Sequence, residues 1–175
     1  MAGPWETRNN QFTTIRGTQL SITDTARRMA EIAAKAADEK LGENIAAIDV
    51  SDVLAITEVF VIASAETERQ VAAIVEEVED ELTAAGFEPK RREGNRENRW
   101  VLLDYGHIVV HVQREGERDY YGLDRLYHDC PLIDIEGIET PERPGEWNNE
   151  VNTREVSDIE DIPLAGPAPE DEEEY

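Results

Sequence analysis

Residues 99–113 carry two β-rich runs that meet at a tight corner. Trp100-Val-Leu-Leu103 and Ile108-Val-Val110 with Val112 are apolar, while Asp104-Tyr-Gly-His107 supplies turn chemistry between them. The pattern predicts a β-hairpin. Its apolar positions run almost without alternation, so both strands are expected to be covered on both faces. Upstream, residues 45–50 and 59–63 read as two further apolar strands, the second uninterrupted.

Helical spacing appears in three places. Behind Thr23 or Asp24 as a cap, Met29, Ile32, Ala33, Ala36 and Leu41 form one stripe, with Gly42 as the stop. After Ser64, with Thr67 as a cap, Val71, Ile74, Val75, Val78 and Leu82 form a second stripe running to Ala85, and Gly86 and Pro89 end it. Residues 116–129 read as a last helix with Tyr120, Leu123, Leu126 and Tyr127 on one side, closed by Cys130-Pro131. Between the second helix and the hairpin, Lys90-Arg-Arg92 is a basic cluster that leads into a polar loop over residues 93–98. The order predicts an α/β fold with a mixed sheet of four or five strands covered by helices. Residues 21–133 form the expected domain. Residues 1–20 show no apolar period and are read as a flexible leader. Residues 134–175, rich in acids and proline, are read as a disordered tail in which Trp147 is one spot able to dock.

Charge changes this picture more than length does. The net charge is −23, and residues 134–175 hold fifteen Asp and Glu against two Arg, a net −13. That charge argues against capture of DNA or RNA phosphates over a large surface, whereas a basic protein partner suits it, and a tail that only keeps the chain soluble suits it equally. Cys130 is the only cysteine, so no internal disulfide can form and a reducing cytoplasmic setting is expected. No stretch approaches a membrane span.

The search for chemistry is mostly negative. His107 and His111, four apart on a strand, lie about 13 Å from each other, too far to share a metal. His128 stands alone near a helix end. Asp49 and Asp52 at a strand end could hold a metal, yet no Gly-Ser stretch or phosphate-binding loop accompanies them, and capping a turn is the preferred role. Cys130 shows no His-Asp partnership and reads as a packed thiol. No catalytic residue, metal or cofactor is expected, which favours an interaction protein over an enzyme. Arg92, Trp100, Asp104 and Tyr105 converge from loop and hairpin and are binding hot-spot types, although spacing alone leaves open whether Trp100 is exposed or in the core.

Taken together, several of these pieces resemble one family. Glu93-Gly94, Trp100-Val-Leu-Leu-Asp-Tyr-Gly106, Ile108-Val-Val-His-Val112 and Tyr120-Tyr-Gly-Leu-Asp-Arg-Leu126 are similar to the ribosomal silencing factors, also called the Iojap family. Asp49-Val-Ser51, Thr57, Phe60-Val-Ile-Ala63 and Arg69-Gln-Val71 resemble its first half, so the likeness covers roughly residues 24–131. Glu58-Val59, His107, Gln113 and Tyr127 depart from it. The resemblance implies a translation repressor that binds a basic large-subunit ribosomal protein at the subunit interface and sterically blocks the small subunit, lowering protein synthesis under nutrient limitation. It also implies a fold similar to nucleotidyltransferases without their catalytic site. Carried onto this chain, the partner-binding residues are Arg92, Glu93, Trp100, Leu102, Asp104 and Tyr105. The alternatives are a large-subunit biogenesis factor and a divergent nucleotidyltransferase-like enzyme using Asp49 and Asp52. A hairpin face left open would also favour a homodimer of the free protein.

Overall fold

A computed structural model describes residues 22–94 and 97–149 of the chain. The leader expected over residues 1–20 and the part of the tail after residue 149 lie outside the described residues. In chain order the elements are α1 (Asp24–Glu39), β1 (Glu43–Asp49), β2 (Val59–Ala65), α2 (Glu68–Ala84), β3 (Arg91–Gly94), β4 (Trp100–Asp104), β5 (Ile108–Arg114), α3 (Glu115–Tyr121) and α4 (Leu123–Leu126), followed by a 3₁₀ turn over Gly145–Asn149.

Both long helices start where their threonines can cap them. Thr23 Oγ1 accepts from the Ala26 N–H at 3.1 Å, and Thr67 Oγ1 accepts from the Gln70 N–H at 3.2 Å. The stop after α1 differs from the expected glycine device. Leu41, not Gly42, takes the left-handed conformation (φ 63°). Gly42 is needed for space instead, because a Cβ there would lie 2.9 Å from the Ala37 carbonyl oxygen.

The five strands form one mixed sheet in the order β1-β2-β5-β4-β3, parallel between β2 and β5 and antiparallel elsewhere. The α/β class is therefore as expected, and the hairpin is β4–β5. The sheet's two faces are covered differently. On one, α1 buries Ala26, Ala30, Ala33, Ala34 and Ala37, small residues that bring its axis close to the sheet, and α2 adds Val71, Ile74, Val78 and Leu82. These pack on Val61, Ala63, Val101, Leu103, Val110 and Val112. On the other, a smaller cluster of Ala46, Ile48, Phe60, Ile62, Val109 and Cys130 lies under the loop after β1 and residues 123–132.

Four expectations need correction. The polar loop after Lys90 contains an edge strand, β3, whose four residues are all exposed, so no burial period announced it. β5 is buried along its length, but β4 alternates, with Val101 and Leu103 inward and Trp100, Leu102 and Asp104 half-buried on the second face. The hairpin is thus not covered on both sides throughout. The last helix is broken: Gly122 sits at φ 58°, ψ 41°, ending α3 and starting the single turn of α4. Finally, residues 134–149 belong with the domain. The Asp49 N–H donates to the Pro131 carbonyl at 2.9 Å and the Ile133 N–H to that of Ala47 at 2.8 Å, closing the outer edge of β1. The chain then buries Ile135, and Arg143 donates to the His128 carbonyl at 2.8 Å.

Candidate docking surface

Period-two geometry sorts the hairpin residues. Cross-strand partners share a face, so Arg91, Asp104 and Val109 align in one row and Glu93, Leu102 and His111 in the next, with Trp100 opposite Gln113. All lie on the face away from α1 and α2. The loop after β1 and residues 123–132 cover the β1 side of this face, leaving Trp100 and Leu102 half-exposed toward β3.

The exposed part is aromatic. Tyr121 at the end of α3, 47% exposed, lies with its ring 4.5 Å from that of Trp100, and Tyr120 stands edge-on to Tyr121 at 4.7 Å. Inward of Trp100, its indole Nε1–H donates to His111 Nδ1 at 3.1 Å. His111 is 4% exposed and meets Phe60 edge-on at 4.9 Å, and Phe60 meets Tyr127 at 5.2 Å. Burial pushes the His111 imidazole down to about 4, so it is uncharged at neutral pH.

Charged residues frame this row. Arg91 reaches Asp104 Oδ2 at 3.2 Å and Glu93 Oε1 at 3.4 Å, across the exposed edge. Asp104 Oδ1 also accepts from the Gly106 N–H at 2.8 Å, which fixes the β4–β5 turn. Beneath, Arg118 pins α3 to the sheet: Nε and Nη2 fork onto Asp124 at 2.9 Å each, while Nη1 donates to Ser64 Oγ at 3.1 Å and the Glu43 carbonyl at 3.2 Å.

Of the six expected partner-binding residues, Glu93, Trp100, Leu102 and Asp104 come together on this face. Two do not. Arg92 points to the helix side, where Nη1 donates to Glu79 Oε1 of α2 at 2.7 Å. Tyr105 is 4% exposed and belongs to the helix-side core, where burial pushes its phenol well above the ordinary value. Its position five residues after Trp100 puts it on the opposite parity. Tyr121, Arg91 and His111 were missed as members of the surface. Alternation from Trp100 could have found His111 through the hairpin register, but Tyr121 depended on where α3 ends.

The other candidates have structural employment. Asp49 Oδ1 accepts from both the backbone N–H and the hydroxyl of Ser51, capping the turn after β1, and Asp52 is exposed beside it. His107 Nδ1 lies 2.6 Å from Glu58 Oε2, and Glu58 also accepts from the Thr23 N–H at 2.7 Å. Burial of Glu58 opposes its ionisation, but the hydrogen bonds from Thr23 and His107 together outweigh it and hold the carboxyl below the ordinary value. His128 Nδ1 bonds the Arg125 carbonyl at 2.9 Å, and Cys130 is fully buried. Among the described residues one trio of acids, Glu43, Glu66 and Glu115, gathers its oxygens within 4.8 Å. It is an exposed acidic cluster, in which the hydrogen bond and charge of Glu43 raise the Glu115 carboxyl.

Fold and surface together define a five-stranded α/β domain with one helix-covered sheet face and one half-open aromatic face. A family model described as ribosomal silencing factor during starvation matches residues 23–160. The chain belongs to the ribosomal silencing factor family. It is 41% identical over 106 residues to a ribosomal silencing factor of Bacillus subtilis, covering 61% of this chain and 90% of that one. It is 28% identical over 126 residues to the chloroplastic Iojap protein of Arabidopsis thaliana, covering 70% of this chain and 52% of that one. Among solved structures, a protein from Chromobacterium violaceum superposes with a TM-score of 0.57 at 28% identity, covering 63% of this chain and 91% of that one. One from Bacillus halodurans gives 0.55 at 34% identity, covering 62% and 99%. No helix among the described residues is long and apolar enough to cross a membrane.

Proposed function

We propose that this chain represses translation by docking, without catalysis, on a basic protein of the large ribosomal subunit at the subunit interface, so that its bulk excludes the small subunit. The observation that carries the reading is the half-open face on which Trp100, Leu102 and Tyr121 present aromatic and apolar area inside a rim of Arg91, Glu93 and Asp104. Aromatic anchors at the centre of such a patch supply most of the affinity, while the acidic surface speeds encounter with a basic partner. Glu93 and Asp104 are assigned to the rim, Trp100 and Leu102 to the centre. Free copies are expected to pair through the same face, in competition with the ribosome.

Co-sedimentation with purified large subunits, and reassociation of large with small subunits in its presence, test this reading. The unmodified chain is expected to pellet with large subunits and to suppress reassociation. Trp100→Glu and, independently, Leu102→Glu are expected to abolish both while leaving the thermal midpoint within a few degrees. Unimpaired pelleting by both folded variants would overturn the choice of surface, and normal subunit pairing under an excess of the unmodified chain would overturn the function.

A further inference from the structure

Trp100 is the largest side chain on the open face, and two contacts set its pose before any partner arrives. Tyr121 packs against it from α3 with ring centres 4.5 Å apart and planes tilted by 49°, and His111 Nδ1 accepts its indole N–H at 3.1 Å. Tyr121 is itself exposed at a helix end, so it can follow the indole as it moves. His111 cannot. It lies on the central strand β5, 4% exposed, opposite Leu102 in the β4 register and wedged edge-on against Phe60.

We propose that His111 is a positioning residue for docking: its Nδ1 is a fixed acceptor that holds the Trp100 indole in the orientation the partner meets. The inference rests on the docking reading above and adds to it how the anchor is preorganised. Indole nitrogen only donates, so Nδ1 must carry the lone pair and the ring hydrogen must sit on Nε2. Nε2 has no protein partner among the described residues, so the bond to Trp100 is the one protein hydrogen bond that fixes the ring's tautomer. Burial keeps the imidazole uncharged through the neutral range, which preserves the acceptor. A side chain held in its bound orientation loses less freedom on association, so loss of the acceptor should weaken binding even though His111 itself never reaches the partner.

His111→Leu removes the acceptor, and His111→Asn retains one close to the Nδ1 position. The full chain is labelled with ¹⁵N-tryptophan, the Trp100 indole signal is assigned with Trp100→Phe, and affinity for purified large subunits is measured alongside. His111→Leu is expected to move the indole N–H signal to a solvent-like shift with fast exchange and to weaken binding about fivefold. His111→Asn should keep the protected signal and bind within about twofold of the unmodified chain. Unchanged affinity in a folded His111→Leu chain whose indole signal has moved overturns the positioning role and leaves docking intact. An unmodified chain that fails to bind large subunits overturns the docking reading and this inference with it. Should His111→Leu not fold, the unmodified chain still decides: a Trp100 indole N–H exchanging at the solvent rate in the free protein overturns the proposal.

Discussion

Acidification from pH 7.5 to pH 5.0 should destabilise this domain through His111. In the unfolded chain an imidazole titrates near 6.5. In the folded chain burial lowers that of His111 to about 4. Between these values the unfolded state binds a proton that the folded state refuses, so stability is fully present above the unfolded value and falls as pH falls toward the folded one. Each unit of separation is worth about 1.4 kcal/mol, which gives a loss of about 2 kcal/mol by pH 5.0 and about 3 kcal/mol below pH 4. At 4% exposure little solvent screening reduces this figure. Glu58 and Glu68, held below their ordinary values, lose their contributions only at lower pH. Relief of self-repulsion in a chain of net charge −23 works in the opposite direction. That effect is common to the unmodified chain and to His111→Asn, so their difference isolates the imidazole. Urea unfolding of both at pH 7.5 and 5.0 is therefore the assay. Whatever His111→Asn costs at pH 7.5, the gap should shift by about 2 kcal/mol in favour of the variant at pH 5.0. A gap independent of pH, or a His111 ring signal titrating near 6.5, would refute the reasoning.

Two other perturbations separate support of the surface from the surface itself. Arg118→Met leaves Asp124 and Ser64 without their buried donor and should cost about 3 kcal/mol in urea unfolding, with Arg118→Lys recovering only part because it lacks the planar fork. Arg92→Ala should leave pelleting with large subunits unchanged, since its guanidinium pairs with Glu79 on the helix side; a marked loss of binding would show that the docking face extends around the β3 edge.

Most of the fold was legible because burial writes a period into the chain. The stripes behind Thr23 and Thr67, the unbroken apolar run at the start of β2 and the nearly continuous one of β5 matched the surroundings they occupy. β3 was not legible, because Arg91-Arg-Glu-Gly94 forms an edge with every residue in solvent and takes its place from pairing alone. The break at Gly122 was hidden for a different reason. Tyr120, Leu123, Leu126 and Tyr127 keep helical spacing across it, and only the left-handed glycine reveals that the axis turns there. Within the surface, Trp100, Leu102 and Asp104 share parity; residue type points to Trp100 and Asp104, and Leu102 enters only through the family resemblance. Tyr105 has the opposite parity, and the side Arg92 faces depends on a register that a four-residue edge strand does not announce.

Competition for sheet area explains why the open patch lies over β4 and not elsewhere. α1 and α2 cover one face from β1 to β4, α1 by presenting alanines that bring it close to the strands. On the other face, the segment from Leu123 to Leu132 and the loop after β1 fill the space over β1 and β2, and residues 131–133 close the outer edge of β1. What remains is the strip between β5 and the free edge at β3, and its half-buried residues are the large ones, Trp100 and Leu102, which gain most from being covered. The competing enzyme reading would place its chemistry at the end of β1, where Asp49 Oδ1 already holds the N–H and hydroxyl of Ser51. A metal there would share its carboxylate with the turn that carries the chain into the loop covering Phe60, whereas a partner protein on the β4 strip would find its contact area already exposed.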